Sequence, residues 1–328
     1  MSQASRERHS ARKAYFAYLR QTAELVDPYV QAHIEKQFGQ LSWLRDLLLR
    51  QYRFGKPQLR PATVRMAYEL AGGDDWQRIV SACAAVEAKD TGYYCFDQML
   101  DISGISSSLL MAGHCFQEMV RTMLDDLDYT KEQMSAIRCL FHGLDLANMD
   151  GVRIENEMAK THSMNLEMYF QKAAGYNFWE YAFGIGAVLA GASSERVDLI
   201  KRIGRLIGMA YIVANDAWEF GKDYLQDFQS GKMTLPIIYA LQNADLADMI
   251  TLKACHGRGL TVGLQDEIRQ IMVKCGAIDY GKQNAKELCQ QALNLLREFE
   301  DSRVRQMIEF STTTTQRNRY FDKLDTYR

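Results

Sequence analysis

Proline stands at only four of the 328 positions, 28, 57, 61 and 236, while Ala, Leu, Met, Gln and Glu are plentiful. Proline is the strongest helix breaker and the other five are good helix formers, so little in this chain interrupts helices. Runs of alternating β-branched residues are almost absent. The expected fold is all-α, with about ten or more helices. With 47 % hydrophobic residues there is enough apolar side chain for a substantial core. No linker, repeat or composition break divides the sequence, so one domain over 1–328 is expected, with 1–13 and 311–328 as its flexible ends.

Composition excludes several functions. Lys and Arg total 39 against 41 Asp and Glu, a net charge of −2. That balance gives no reason to expect a nucleic acid or an anionic membrane as partner. No apolar run has the length of a signal peptide or a membrane span. The seven cysteines are scattered and odd in number, with no CxxC. A reduced, cytoplasmic protein is the simplest reading. The six histidines make no HExxH, and no G-x-S-x-G, Walker loop or dinucleotide fingerprint is present.

Apolar spacing predicts helices over 14–38, with a restart at Asp27-Pro28, then over 41–53 and 62–70. Between the last two lies a stiff loop, Phe54 to Pro61, in which Lys56 and Arg60 flank a helix N-terminus and offer an anion site. A long apolar helix follows over 76–100, then one over 105–124. Thr130 with Gln133 reads as a capping box for a helix over 131–147. Gly151 opens a polar stretch containing Glu155 and Glu157. Long helices are expected over 166–192 and 195–220, and amphipathic ones near 237–243, 245–255, 264–274 and 277–309. Gly184, Gly186 and Gly191 put small residues where neighbouring helices would come close.

Two acidic clusters end apolar helices. Asp97 and Asp101 are four apart and share a face. Asn215, Glu219 and Asp223, with Asp216 beside the first, form a second oxygen-bearing stripe on the same rule. Carboxylates at the edge of an apolar core are costly unless a cation meets them. Hard oxygen donors of this kind suit Mg²⁺ bridging to phosphate. Asp125, Asp126 and Asp128 are read instead as a turn before the capping box.

Taken in order, five pieces of this sequence resemble the trans-isoprenyl diphosphate synthase superfamily. They are Gly55 to Pro61, the helix ending in Asp97-Gln98-Met99-Leu100-Asp101, Lys172 with Gly186 to Gly191, Tyr211 to Glu219 with Lys222, and Gly231 to Pro236. The resemblance covers roughly residues 50–240 and implies a helical bundle around a central active-site cavity, working as a homodimer. It implies about three Mg²⁺ ions held by Asp97, Asp101, Asn215, Asp216, Glu219 and Asp223, with Asp97, Asp101, Asp216 and Glu219 as catalytic carboxylates. Lys172, Lys222 and Lys232, with Lys56, Arg60 and Arg319, would bind diphosphate. The substrate would be an allylic prenyl diphosphate ionising beside Tyr93, Tyr94, Phe96, Tyr211 and Trp218, whose ring faces steady a carbocation. In the family, bulk four or five residues before the first aspartate floors the pocket. Tyr93 sits there, implying a substrate of about C10 to C20.

The departures concern the second substrate. Gln98, Asn215 and Glu219 replace aspartates of the family motifs but remain oxygen donors. The family's Arg-Arg-Gly after the first motif is absent from Ile102 to Ser108, and its histidine seven before Asp97 is Asp90. An allylic cation captured internally, as in terpene cyclisation, or by an acceptor other than isopentenyl diphosphate is therefore the leading expectation. Asn215, Glu219 and Asp223 also occupy the ligand positions of a cyclase motif, ND-x-x-S-x-x-x-E, and Arg319-Tyr320 matches a cyclase Arg-Tyr pair. Conventional chain elongation is one alternative, and a non-catalytic partner subunit of an active synthase is another.

Overall fold

A computed structural model of the chain describes residues 3–52, 54–56, 58–101 and 106–314, together with Leu324 and Tyr327. Among these residues every regular element is helical. The order is α1 (Gln3–Phe38), α2 (Ser42–Gln51), α3 (Leu59–Leu70), α4 (Val80–Asp101), α5 (Ser107–Leu124), α6 (Lys131–Thr161), α7 (Leu166–Gly175) and α8 (Phe178–Leu189). Then come α9 (Ser194–Trp218), α10 (Gln226–Gln229), α11 (Leu235–Asn243), α12 (Leu246–Cys255), α13 (Val262–Lys274), α14 (Ala277–Leu296) and α15 (Arg303–Thr314). Single 3-10 turns at Trp76–Ile79 and Glu219–Gly221 precede α4 and follow α9. The seven cysteines are free thiols, and no described helix is long and apolar enough to cross a membrane.

The helices form two compact units, one from Met1–Leu140, Tyr181–Lys201 and Phe299–Phe310, the other from Phe141–Glu180, Arg202–Glu298 and Ser311–Arg328. In the first, α4 is the central helix: Ala82 to Val86 and Ala88 are fully buried, so it is covered on nearly every side. It meets α5 closely at Gly113, where an added Cβ would stand 2.5 Å from the Phe96 ring. Gly186 of α8 lies against α3 at a distance that would bring a Cβ within 2.3 Å of the Val64 carbonyl oxygen. The small residues of this stretch thus allow the close approach expected of them. The buried Arg65 guanidinium sits 4.0 Å from the ring centroids of both Tyr18 and Trp76 and pairs with Glu69 at 2.7 Å.

The capping box forms as expected. Thr130 Oγ1 accepts the Gln133 amide at 3.2 Å, and Gln133 Oε1 accepts the Thr130 amide at 3.3 Å. Gln133 also donates to the Val188 carbonyl at 3.0 Å, fastening the start of α6 to the end of α8. Thr130→Ala is expected to cost about 1 kcal/mol and to lower Tm by about 2 °C. Scanning calorimetry reads this directly, and an unchanged Tm would show that the cap contributes nothing.

Several boundaries differ from those expected, and α1 begins at Gln3, well before residue 14. Helix α1 runs straight through Pro28, because that residue lies on an exposed face where water can take the carbonyl left unpartnered, while Val26 and Val30 are fully buried on the other. Helix α6 continues through Gly151, which lies against Gly175 of a neighbouring helix rather than opening a turn. The expected 166–192 helix is two helices. Between them the buried Asn177 donates to the Arg205 carbonyl at 2.6 Å and accepts the Glu180 amide at 3.3 Å, restarting the chain as α8. The expected 277–309 helix also divides: Ser302 Oγ accepts the Arg305 amide at 3.2 Å as a new N-cap.

Candidate active site

In the second unit, two glycines build the centre. A Cβ on Gly175 would stand 2.6 Å from the Ala147 carbonyl oxygen and 2.9 Å from Gly151 Cα, so α6 and α7 cross backbone to backbone. Lys172 lies one turn before Gly175 and Glu155 one turn after Gly151, and the crossing brings Nζ and Oε1 to 3.6 Å. Lys172 is only 3 % exposed, and its ammonium stands 4.8 Å from the Tyr169 ring centroid. Glu155 Oε2 accepts the Tyr176 hydroxyl at 3.1 Å and lies 3.8 Å from Lys232 Nζ. Lys232 in turn is 3.5 Å from Asp227. One carboxylate thus holds two lysines.

Asp216 faces this group from α9. Its carboxylate is buried and accepts the Tyr169 hydroxyl at 2.7 Å. Burial raises its pKa to about 6; Lys172 opposes the rise and the nearby Asp227 adds to it. Tyr169 is itself fully buried, and burial with the neighbouring Asp216 charge holds its phenol well above the usual range. It therefore stays a hydrogen-bond donor at any ordinary pH.

The helical stripe expected through Asn215, Glu219 and Asp223 does not form. Helix α9 stops at Trp218, and the chain leaves the 3-10 turn at Lys222 in an extended conformation, placing Asp223 on an exposed loop. The i+4 spacing loses its meaning where the helix ends. Glu219, 1 % exposed, accepts Lys222 Nζ at 3.1 Å with one oxygen and the Asp227 amide at 2.8 Å with the other. It ties down the loop, and burial followed by the charge of Asp227 raises its pKa. Asn215 is half-buried. Trp218 meets the Tyr211 ring edge-on, with centroids 5.6 Å apart.

These donors are hard oxygens, and two of the carboxylates are buried with raised pKa values, an arrangement that an added cation relieves. Among the described residues no three metal-ligating side chains converge tightly enough to hold a metal by themselves. Hard oxygen donors of this kind suit Mg²⁺, which takes one or two carboxylates and keeps its other positions for water and phosphate oxygen.

The first unit holds the other expected residues. Asp97 is exposed on the last turn of α4, and Asp101 is that helix's final residue. Tyr93 is half-buried with Lys89 Nζ 5.7 Å from its ring centroid, Tyr94 is exposed, and Phe96 lies on Gly113 as packing. Lys56 is exposed in a loop that Asp27 anchors to α1, accepting the Gly55 amide at 2.8 Å and the Tyr52 hydroxyl at 3.2 Å. Arg60 Nε stands 3.3 Å from Asp90 Oδ2. Arg319 and Tyr320 lie outside the described residues.

Glu155, Tyr169 and Asp227 join the centre without having been expected there. Their roles come from the α6–α7 crossing and from a loop fold, and neither leaves a spacing signal in sequence. For Tyr169 a signal did exist, since it precedes Lys172 by three and shares its helical face.

The polyprenyl synthetase family model matches residues 92–272, more than half of the sequence, and this chain belongs to that family. Its class is that of the isoprenyl diphosphate synthase-type prenyltransferases. It is 22 % identical over 286 residues to the octaprenyl diphosphate synthase of Haemophilus influenzae, covering 80 % of this chain and 85 % of that one. It is 24 % identical over 284 residues to a short chain isoprenyl diphosphate synthase of Methanothermobacter thermautotrophicus, covering 77 % and 84 %. The fold is similar to the crystal structure of geranylgeranyl pyrophosphate synthetase from Pyrococcus horikoshii, with TM-score 0.84, 19 % identity, and 93 % and 99 % of the two chains covered. It is also similar to a geranylgeranyl pyrophosphate synthase from Corynebacterium glutamicum complexed with isoprenyl diphosphate and magnesium, with TM-score 0.81, 18 % identity, and 92 % and 99 % covered.

Proposed function

We propose that this chain is an Mg²⁺-dependent prenyltransferase, working as a homodimer, that releases diphosphate from a short allylic prenyl diphosphate. We propose further that it joins the allylic group to isopentenyl diphosphate, as a chain-elongating synthase. The observation that carries the reading is the group of Asp216, Glu155, Lys172 and Lys232, in which a buried carboxyl with a raised pKa lies beside clustered ammonium groups. The relatives, matched over most of their length, support elongation over the internal capture or other acceptor that sequence alone favoured.

When bound, Mg²⁺ supplies positive charge to the oxygens of the leaving diphosphate. The residues that would hold it are, in the first unit, Asp97 and Asp101 at the end of α4, and, in the second, Asn215 and Asp216 near the end of α9 with Asp223 on the loop beyond and Asp227 in α10. Glu219, with both oxygens bonded to Lys222 and the Asp227 amide, ties that loop in place. Lys172 and Lys232, held by Glu155, donate to diphosphate oxygens, as does Lys222. Tyr169 fixes one oxygen of Asp216 and leaves the other to a ligand. Tyr93 and Tyr94 of the first unit, and Tyr211 and Trp218 of the second, are the aromatic groups that would steady the developing cation.

One observation favours a second reading. Arg60, a cation that would hold the second diphosphate, is already paired with Asp90. An acceptor that is neutral or positively charged suits such a site better than a diphosphate does. Incubation with Mg²⁺ and geranyl, farnesyl or geranylgeranyl diphosphate, with and without isopentenyl diphosphate, separates the two. Diphosphate release that strictly needs isopentenyl diphosphate supports elongation, and release without it supports another fate for the cation. On the elongation reading, Asp90→Asn is expected to lower the KM for isopentenyl diphosphate by about 3-fold, the modest worth of a half-exposed ion pair. An unchanged KM would mean that Asp90 does not restrain Arg60.

A further inference from the structure

Helix α9 ends inside the second unit, and its last carbonyls need partners that the helix cannot supply. Just beyond that end, the carbonyls of the 3-10 turn and the loop after it find partners on α13. Arg269, 3 % exposed, donates from Nε to the Phe220 carbonyl at 3.0 Å and from Nη2 to the Lys222 and Asp223 carbonyls at 2.7 and 3.2 Å. One turn earlier on the same face, the buried Gln265 accepts the Leu225 amide at 3.3 Å. The planar guanidinium spreads its donors over a fixed fork, and its charge sits at the negative end of α9.

Arg269 is itself held. Its Nη1 donates to Asp266 Oδ1 at 2.8 Å, and the same oxygen accepts the Tyr327 hydroxyl at 2.8 Å. Leu324, 1 % exposed, is part of the apolar core of this unit, and Tyr327 packs against the same core. A continuous line of hydrogen bonds therefore runs from Tyr327 through Asp266 and Arg269 to the backbone of 220–223. The side chain of Lys222 leaves that same stretch, and Glu219 immediately precedes it.

Resting on the diphosphate site proposed above, we infer that Arg269 is a positioning residue of that site, locked by Asp266 and Tyr327, and sets where Lys222 and Glu219 stand. Its three carbonyl contacts fix a segment that has no helix or sheet ladder of its own beyond a single 3-10 turn. Asp223 and Tyr224 have their side chains exposed, so Arg269 holds this loop by its backbone. The hydrogen bond of Tyr327 reaches that stretch through Asp266 and Arg269.

The mildest test is Tyr327→Phe, which removes one donor from a half-buried ring and leaves its packing in place. Loss of that hydrogen bond is expected to speed amide hydrogen exchange across 219–227 by about 3- to 10-fold. Affinity for Mg²⁺ with inorganic diphosphate, measured by calorimetry, is expected to fall by about 10-fold, as for loss of an outer-shell partner. The kcat falls more than the allylic KM rises, while Tm stays within about 2 °C of wild type. Arg269→Lys keeps the charge but not the fork and is expected to give the same pattern more strongly. Wild-type exchange over 219–227 together with wild-type diphosphate affinity in Tyr327→Phe would overturn the inference. If the wild-type chain binds no Mg²⁺–diphosphate at all, the proposed function fails instead, and the exchange comparison still decides whether Arg269 holds the segment.

Discussion

Asp216→Asn is expected to make the metal-free chain more stable and the enzyme inactive. The carboxyl of Asp216 is fully buried, and its pKa is raised from 3.8 to about 6. A raised carboxyl pKa means that the folded state prefers the neutral form. Its contribution to stability is fully present below pH 3.8, shrinks as the unfolded carboxyl ionises, and is lost once pH passes about 6. The difference of about two pH units corresponds to roughly 3 kcal/mol at neutral pH, an order-of-magnitude figure. Asparagine keeps the shape and an oxygen for the Tyr169 hydroxyl, and it carries no charge to strand. In the absence of divalent metal at pH 7.5, the variant should therefore melt about 2–6 °C above wild type.

The same substitution removes a charge that the reaction needs, and kcat should fall by at least about 100-fold. Stability held back at a buried carboxylate is what a site built to receive a cation shows before the cation arrives. Wild-type protein should accordingly gain more in Tm from Mg²⁺ with inorganic diphosphate at pH 8 than at pH 5, because only the ionised carboxylate is relieved. Scanning calorimetry at the two pH values reads both effects. An Asp216→Asn protein that melts at or below the wild-type temperature at pH 7.5 would show that the buried charge is already satisfied by Lys172, and the reading of this centre as a cation site would lose its main support.

Much of this fold can be read from residues that act locally. Scarce proline leaves long helices, Thr130 and Gln133 cap one another within four residues, and Gly186 marks a close approach because nothing larger fits. The errors come from tertiary partners. Pro28 does not break α1 because the side that loses a hydrogen bond faces water, and Asn177 splits an apolar run because the Arg205 carbonyl, far along the chain, holds it where it can cap Glu180. At the site, Asp216, Lys172, Lys222 and Lys232 are recognisable from motif spacing. Glu155 reads only as a charge in a polar stretch until α6 crosses α7, and Arg269 reads as an ordinary helix-face arginine until the end of α9 lies beneath it. Glu219 shows the converse. Its motif position suggests a ligand, yet in the folded chain both of its oxygens are committed to Lys222 and to the Asp227 amide.

Gly175→Ala tests the crossing that brings the lysines and carboxylates together, and it should damage both folding and activity. Alanine is the better helix former, by about 0.5–1 kcal/mol in a helix interior, but Gly175 is the last residue of α7, where that preference counts least. Against it stands a Cβ placed 2.6 Å from the Ala147 carbonyl oxygen and 2.9 Å from Gly151 Cα, both backbone atoms that cannot rotate away. Relief requires α6 and α7 to separate, and overpacking of this kind costs about 1–3 kcal/mol. Tm should fall by roughly 2–6 °C. Separation also draws Lys172 away from Glu155, now 3.6 Å apart, and a displacement of about 1 Å at such a site can cost 100-fold in rate. Gly263→Ala is the matched control, lying near the start of α13 with nothing within 4 Å of an added Cβ; it should leave activity unchanged and raise stability by up to about 0.5 kcal/mol. Should Gly175→Ala match that control in both Tm and kcat, the two helices have room that the close backbone contact denies, and the assembly of Lys172 and Glu155 would have to rest on something other than the glycine crossing.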